Sequence, residues 1–410
     1  AVQADWFSAY DVLRREAPVY FMPEIGMYVL TRYDDIEWVL RQPERFTVGP
    51  DVQNKDPLVA HAEARALYDE KGWPRYTPLG ENLPKHRIYR GLVDPHLSPA
   101  AVKAREGDIR AIIHELIDRF MDRADGGNSG EIEFIEDFAE PLPMMVIAEL
   151  LGFPRMDLPQ LKEWSHAWVL PFSKGLSLEQ EIWAVEKHIE LQHYIFETMQ
   201  EKRRAPKNDI ISHLVQAEYH DPDTGERRPL TDTEIIGMTD HLLIGGNETT
   251  TFALSNALWL LFRNPETLAT IETDRSRIKT FVEEALRIES PTQGLYRFVT
   301  EDVEIGGVPV PKGAMLSIRY GAGNQDPERY PNPTVPDLNR PKAGRHLAFG
   351  LGEHVCPGAT LSRYEQNWAW EILFERIKNM RPAPGRNTYE HVPGIWLRAL
   401  TAIHMQFDKR

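Results

Sequence analysis

The sequence predicts a mainly α-helical fold with a small β portion built from both ends of the chain. Three observations carry this. Helical periodicity dominates residues 99–200, one long helical pattern runs from Thr231 to Arg263, and short β-like runs lie toward either end.

In chain order, Ala9 to Arg15 is helical in pattern. Pro18-Val19-Tyr20-Phe21 and Met27-Tyr28-Val29-Leu30, joined through a turn at Gly26, read as a β-hairpin. Asp34 to Arg41 returns to helix. Residues 50–84 are polar with several prolines, long for a connection inside a compact domain, and read as a functional loop. Ile112, Ile113, Leu116, Ile117 and Phe120 then fall at helical spacing, while Pro141, Pro143 and Pro154 interrupt the pattern. A helix after Ile210 gives way to the turn Asp221-Pro222-Asp223-Thr224-Gly225.

The next helix is the most informative. Thr231-Asp232-Thr233-Glu234 is a capping-box start, and Asn264-Pro265 stops the helix after Arg263. At 1.5 Å per residue it is roughly 45 Å long, enough to cross a domain. Its second half, Phe252 to Phe262, is apolar nearly all round and so should be buried on every side. Beyond Pro291 come the short β runs 303–305, 308–310 and 315–318, an irregular stretch from Gly323 to about Leu347, and a helix from Gly358 to about Ile377.

Composition narrows the function. The chain has 410 residues, more than one ordinary core serves, so it is several domains or one large domain organised around something in its middle. Nothing marks an independent second domain, and residues 1–410 read as one. Its net charge of −15 argues against a general nucleic-acid binder but leaves room for a local basic patch that docks an acidic protein. No run of about 20 apolar residues marks a membrane span. The N-terminus has no signal-peptide pattern, and without an initiator Met a truncated or processed start is compatible with it. A cytoplasmic protein is the simplest expectation. The single cysteine, Cys356, excludes an intramolecular disulfide and any multi-cysteine zinc or iron–sulfur site. Its role, if it has one, is solitary: nucleophile or axial ligand.

Cys356 stands in Phe349-Gly350-Leu351-Gly352-Glu353-His354-Val355-Cys356-Pro357-Gly358. The glycines let backbone pass close to a flat ligand, and a turn opening into a helix offers amide donors to a thiolate. This segment resembles the cysteine loop of the cytochrome P450 family, Phe-Gly-x-Gly-x-His-x-Cys-x-Gly, at every specified position. It continues into Leu361-Ser362-Arg363-Tyr364-Glu365, with Ser362 where the family has Ala. The resemblance implies haem b, iron protoporphyrin IX, held between the long central helix and the cysteine loop with its following helix, and Cys356 as the iron ligand.

Within the long helix stands Gly245-Gly246-Asn247-Glu248-Thr249-Thr250. Each interior glycine costs a helix about 1 kcal/mol against alanine, and a buried carboxylate is costly unless it has work to do. The segment is similar to the family's oxygen-activation motif, with Glu248 where many members carry Asp. By that resemblance Gly245 shapes a groove, Thr249 holds the activated oxygen and its water, and Glu248 feeds protons from the bulk.

Glu284-Ala285-Leu286-Arg287 places a carboxylate and a guanidinium on one helix face. It resembles the family's Glu-x-x-Arg pair, which joins an arginine of the irregular stretch, here Arg340, in a structural lock. Pro336 stands there where Phe is usual. His86 and Arg90 resemble the family's propionate clamp, and Arg297 and His354 complete that set.

The resemblance thus implies a monooxygenase inserting one atom of O₂ into a small, mainly apolar organic substrate. It implies a monomer without a fused reductase, receiving electrons from a ferredoxin and its NAD(P)H-dependent reductase. Lys85, Arg87 and Arg345 are candidates for docking that carrier. Peroxide-driven oxygenases and haem isomerases of this type often lose the acid–Thr pair, and a haem sensor would not need it. Glu248 and Thr249 therefore favour O₂ chemistry.

Overall fold

The computed structural model describes residues 6–49, 59–122, 127–172, 175–392, 394 and 396–410. Helix makes up 55% and strand 13%, so the mainly helical class with a small sheet portion holds. The chain divides into two compact units. One comprises Ala1–Thr47, Lys103–Leu142 and Thr249–Arg410; the other comprises Val48–Val102 and Pro143–Glu248.

The first unit contains the larger sheet. Its strands run in the order Val19–Met22, Met27–Leu30, Met315–Ile318, Leu295–Val299 and Phe46–Thr47. The outer hairpin is antiparallel with Val19 opposite Leu30, whereas Met315–Ile318 lies parallel to Met27–Leu30. Strands near the chain start thus share one sheet with strands from residues 295–318. Leu30, Ile36, Val39, Leu316, Ile318 and Leu347 form its buried core. A second sheet joins Ile377–Pro382, His404–Lys409 and Ser129–Glu133. That last strand lies inside the span read as helical: Ser129–Glu133 is short and half polar, and it is stable because His404–Lys409 pairs along it. The helix Glu106–Asp122 buries Ile112, Ile113, Leu116, Ile117 and Phe120. From Thr249 to Arg263 the long helix buries Leu254, Leu258 and Leu261 completely, while Phe252, Trp259 and Phe262 are half-buried.

The second unit is helical with one small hairpin, Glu218–His220 with Arg227–Pro229. Its longest complete helix, Leu178–Arg204, starts at a capping box. The amide of Gln180 donates to the Ser177 hydroxyl at 3.2 Å, and the Ser177 amide donates to Oε1 of Gln180 at 2.9 Å. Helix Leu158–Val169 packs on it, as does Ala62–Lys71. The latter corrects the long-loop expectation in part: 62–71 is helix, buried only through Ala64 and Tyr68 against Val185 and Ile189. So narrow an apolar stripe gives almost no periodic signal. Residues 50–58 of that expected loop lie outside the described residues. A second correction concerns the prolines: Pro141 opens the helix Pro141–Leu151 and Pro143 lies in its first turn, where neither removes a helical hydrogen bond.

The long helix, Asp232–Arg263, begins as its sequence demands. The Thr231 amide donates to Oε2 of Glu234 at 2.7 Å, and the Glu234 amide donates to the Thr231 hydroxyl at 3.2 Å.

Candidate active site

In the first unit the cysteine loop folds through two left-handed glycines, Gly350 at φ 68° and Gly352 at φ 76°. A Cβ at Gly352 would also lie 2.3 Å from the Leu40 carbonyl oxygen, so only glycine fits. The amide of Cys356 donates to the Phe349 carbonyl at 2.9 Å and closes the loop, and helix Ala359–Arg376 starts immediately after it. Cys356 is half-buried, and a Cβ at Gly358 would sit 3.8 Å from its sulfur.

The loop is braced by groups that the sequence reading missed. Arg363 lies with its guanidinium 4.5 Å from the Phe349 ring centre and donates through Nε to Oε1 of Glu283 at 2.8 Å. Nε2 of the buried His346 is 2.9 Å from Oε2 of the same carboxylate. Burial pushes the Glu283 carboxyl up, but the bonds from His346 and Arg363 more than offset this and hold it at about 2. Adjacent Glu283 and Glu284 therefore serve two different braces.

Glu284 and Arg287 are both fully buried and joined by two bonds, Nε to Oε1 at 2.7 Å and Nη2 to Oε2 at 2.9 Å. Arg340 adds a bond from Nε to Oε1 at 2.9 Å, and the Asp337 amide donates to Oε2 at 2.9 Å. Arg287 spends its remaining donors on the carbonyls of Asn324 and Pro333 at 2.8 and 2.6 Å. Every polar atom of the pair has work, the condition under which a buried ion pair is tolerable.

Arg297, in strand Leu295–Val299, is 5% exposed and donates to the Tyr296 carbonyl at 2.7 Å. No carboxylate pairs with it among the described residues. Nearby, the Tyr320 hydroxyl sits 3.6 Å from the position of a Cβ at Gly350, and the Arg297 charge acts on that phenol. His354 lies in the short turn Gly352–His354 and is half-buried. A buried guanidinium without an acidic partner among the described residues, on the unit that carries a lone half-buried thiol, fits a flat ligand with iron at its centre and carboxylates at its edge.

In the second unit His86 is buried on helix Lys85–Leu97, and Arg90, one turn later, donates through Nε to Asp94 at 2.7 Å. Farther along the chain Gly245 is exposed, whereas a Cβ at Gly246 would lie 2.8 Å from the Ile147 side chain. Glu248 is 7% exposed, and its Oε1 accepts a hydrogen bond from the Ser165 hydroxyl at 2.8 Å. Asn247 donates to Ser165 Oγ at 3.1 Å and to the Leu243 carbonyl at 2.7 Å. Ser165 had no signal in sequence. In the first unit, Thr249 is half-buried and Thr250 donates to the Ser362 hydroxyl at 3.2 Å, which gives the unusual Ser362 a partner.

A thiol-bearing glycine loop and a helix carrying a buried acid beside a threonine define a haem-thiolate oxidoreductase in class. The cytochrome P450 family profile matches residues 157–378. The biotin biosynthesis cytochrome P450 of Bacillus subtilis (strain 168) is 32% identical, covering 98% of this chain and 96% of that one. The cytochrome P450 monooxygenase PikC of Streptomyces venezuelae is 31% identical, covering 99% of this chain and 92% of that one. The crystal structure of P450BioI in complex with hexadec-9Z-enoic acid ligated acyl carrier protein superposes with a TM-score of 0.86 at 29% identity, covering 99% of this chain and 100% of that one. The chain belongs to the cytochrome P450 family. It is an oxidoreductase with haem b as its cofactor.

Proposed function

We propose that this P450 inserts one atom of O₂ into a mainly apolar organic substrate, with Cys356 as the iron ligand and Glu248 and Thr249 as its proton-handling pair. Bound haem supplies the reductive activation of dioxygen. His86, Arg90, Arg297 and His354 would hold its propionates, and Gly245 leaves room for the small ligand beside the helix. In this reading residues 1–410 form one haem domain, and Glu284, Arg287 and Arg340 keep the cysteine-loop region rigid.

The observation that carries the reading is the buried Glu248, kept on the long helix beside Thr249 and supplied with a donor by Ser165. A structural role would be met more cheaply by an apolar residue at the same place. Glu248 would hand a proton inward along this helix, and the Thr249 hydroxyl would orient the water that receives it. Leu242 and Ile244, buried on the preceding turn, and the Tyr296–Trp396 pair at 3.7 Å between ring centres support an apolar substrate. The enzyme works in the cytoplasm with a ferredoxin and its NAD(P)H-dependent reductase; among the described residues no helix is long and apolar enough to cross a membrane. The exposed Arg345 is a candidate docking cation in the first unit, as are Lys85 and Arg87 in the second.

The test is a turnover under ¹⁸O₂ with NAD(P)H, ferredoxin and reductase. One labelled oxygen in the product is expected, and product formed without label uptake would overturn the reading.

A further inference from the structure

Several arginines of the second unit are met by carboxylates. Arg90 holds Asp94, Arg155 holds Glu149, Arg203 holds Asp232 and Arg228 holds Glu234. Arg75, in the irregular segment after Gly72, is half-buried like Arg228, yet no carboxylate pairs with it among the described residues. Its guanidinium rests 5.2 Å from the centre of the Trp168 ring. Trp168 is itself pinned to the long helix, donating through Nε1 to Oδ2 of Asp240 at 3.0 Å, and Nε2 of His188 reaches the same oxygen at 3.0 Å. Next on that helix, His241 places Cδ2 3.7 Å from the position of a Cβ at Gly245, so its ring edges the groove. Its Nδ1 is buried with no hydrogen-bond partner among the described residues, and burial, opposed by the Asp240 charge and aided by that of Arg75, holds the imidazole below its usual value and neutral.

An arginine stays charged in any protein environment, and its planar fork matches a carboxylate or phosphate edge. Held on an aromatic face beside a neutral imidazole with a spare nitrogen, it is set to receive an anion that none of the described residues provides. We propose that Arg75, assisted by His241, recognises an acidic group on the substrate, so that the natural substrate is an apolar body carrying a carboxylate or phosphate. This assignment rests on the monooxygenase reading and narrows its substrate. The competing arrangement is an ion pair between Arg75 and Oδ1 of Asp240, which has no hydrogen-bond partner among the described residues.

The test uses the full-length, haem-loaded protein with dodecanoic acid, 4-cyclohexylbenzoic acid and abietic acid, each beside its methyl ester, and with dodecyl phosphate. Affinity is read from the haem absorbance shift and independently by calorimetry. At least one acid should bind about 10-fold tighter than its ester, in line with a charge-assisted bond. Arg75→Gln should erase that preference while leaving ester binding within about twofold, and Arg75→Lys should restore part of it, a charge without the fork. Dodecyl phosphate against dodecanoic acid distinguishes the two anion sources. Esters binding as tightly as their acids throughout, as the Asp240 pair predicts, would overturn the proposal, as would a preference that survives Arg75→Gln. The ferrous–CO spectrum is recorded first. Its failure to show a thiolate-type band in the unsubstituted protein counts against the haem-thiolate reading, whereas an intact band without acid preference removes only the role of Arg75.

Discussion

The hydroxyl of Ser165 donates to Oε1 of Glu248 at 2.8 Å, and both side chains are buried. Asn247 in turn donates to Ser165, so the three side chains form a short polar chain. A hydrogen bond to a charged group is worth about 1.5–3 kcal/mol, so losing the Ser165 hydroxyl changes how this carboxyl is held. Ser165→Ala should therefore slow product formation several-fold and raise the solvent deuterium isotope effect, while substrate affinity stays the same. An unaltered isotope effect would place Ser165 outside proton delivery.

Thr249 sits one residue further along the helix. Thr249→Ala should keep haem and substrate binding but divert reducing equivalents to hydrogen peroxide. The check is the ratio of product formed to NAD(P)H consumed, and a ratio equal to that of the unsubstituted enzyme refutes the role.

Cys356 is the only cysteine of the chain, so its replacement admits no substitute thiol. Cys356→Ser should lose the thiolate-type ferrous–CO spectrum, and retention of that spectrum would sink the ligand assignment.

The Glu284–Arg287 pair is fully buried, and removing Arg287 leaves Glu284 with only Arg340 and the Asp337 amide and strips the carbonyls of Asn324 and Pro333 of their donor. Arg287→Ala should cost about 3–5 kcal/mol, seen as a lower unfolding temperature and weaker haem retention. A loss below about 1 kcal/mol, the range of an exposed ion pair, would show that the region relaxes around it.

Glu283 carries a pH dependence of defined sign. Its carboxyl is depressed from the ordinary 4.5 to about 2 in the folded protein. Stability from its bonds to His346 and Arg363 is therefore fully present above about pH 4.5, and it is lost as the pH falls toward about 2. Glu283→Gln should flatten this part of the acid-unfolding curve, and a curve of unchanged steepness would assign the acid sensitivity to other carboxylates.

Some of this was legible in the sequence because its causes are local. Glycines at 350 and 352 signal a backbone path that other residues could not follow, and the Glu284–Arg287 spacing places both groups on one helical face. Other features had no local signal. Ser165 and Glu248 are 83 positions apart, and Glu283 reaches Arg363 across 80. Ser362 could be seen to depart from the family pattern, but its bond to Thr250 comes from a helix 112 positions earlier. The helix Ala62–Lys71 was missed for a related reason, since it buries only two residues and owes its place to the helix beneath it.

By itself the sequence determined where the long helix begins and ends, which residue carries the lone thiol, and to which family of proteins such a loop belongs. These depend on capping, glycine conformation and residue identity, which act over a few neighbouring positions. Only the tertiary structure decided how each charge is met. It gave Glu248 a serine, Glu283 a histidine and an arginine, and Arg287 a carboxylate and two carbonyls. Partners of buried charges are chosen by long-range packing, and no pattern confined to one segment can contain that choice.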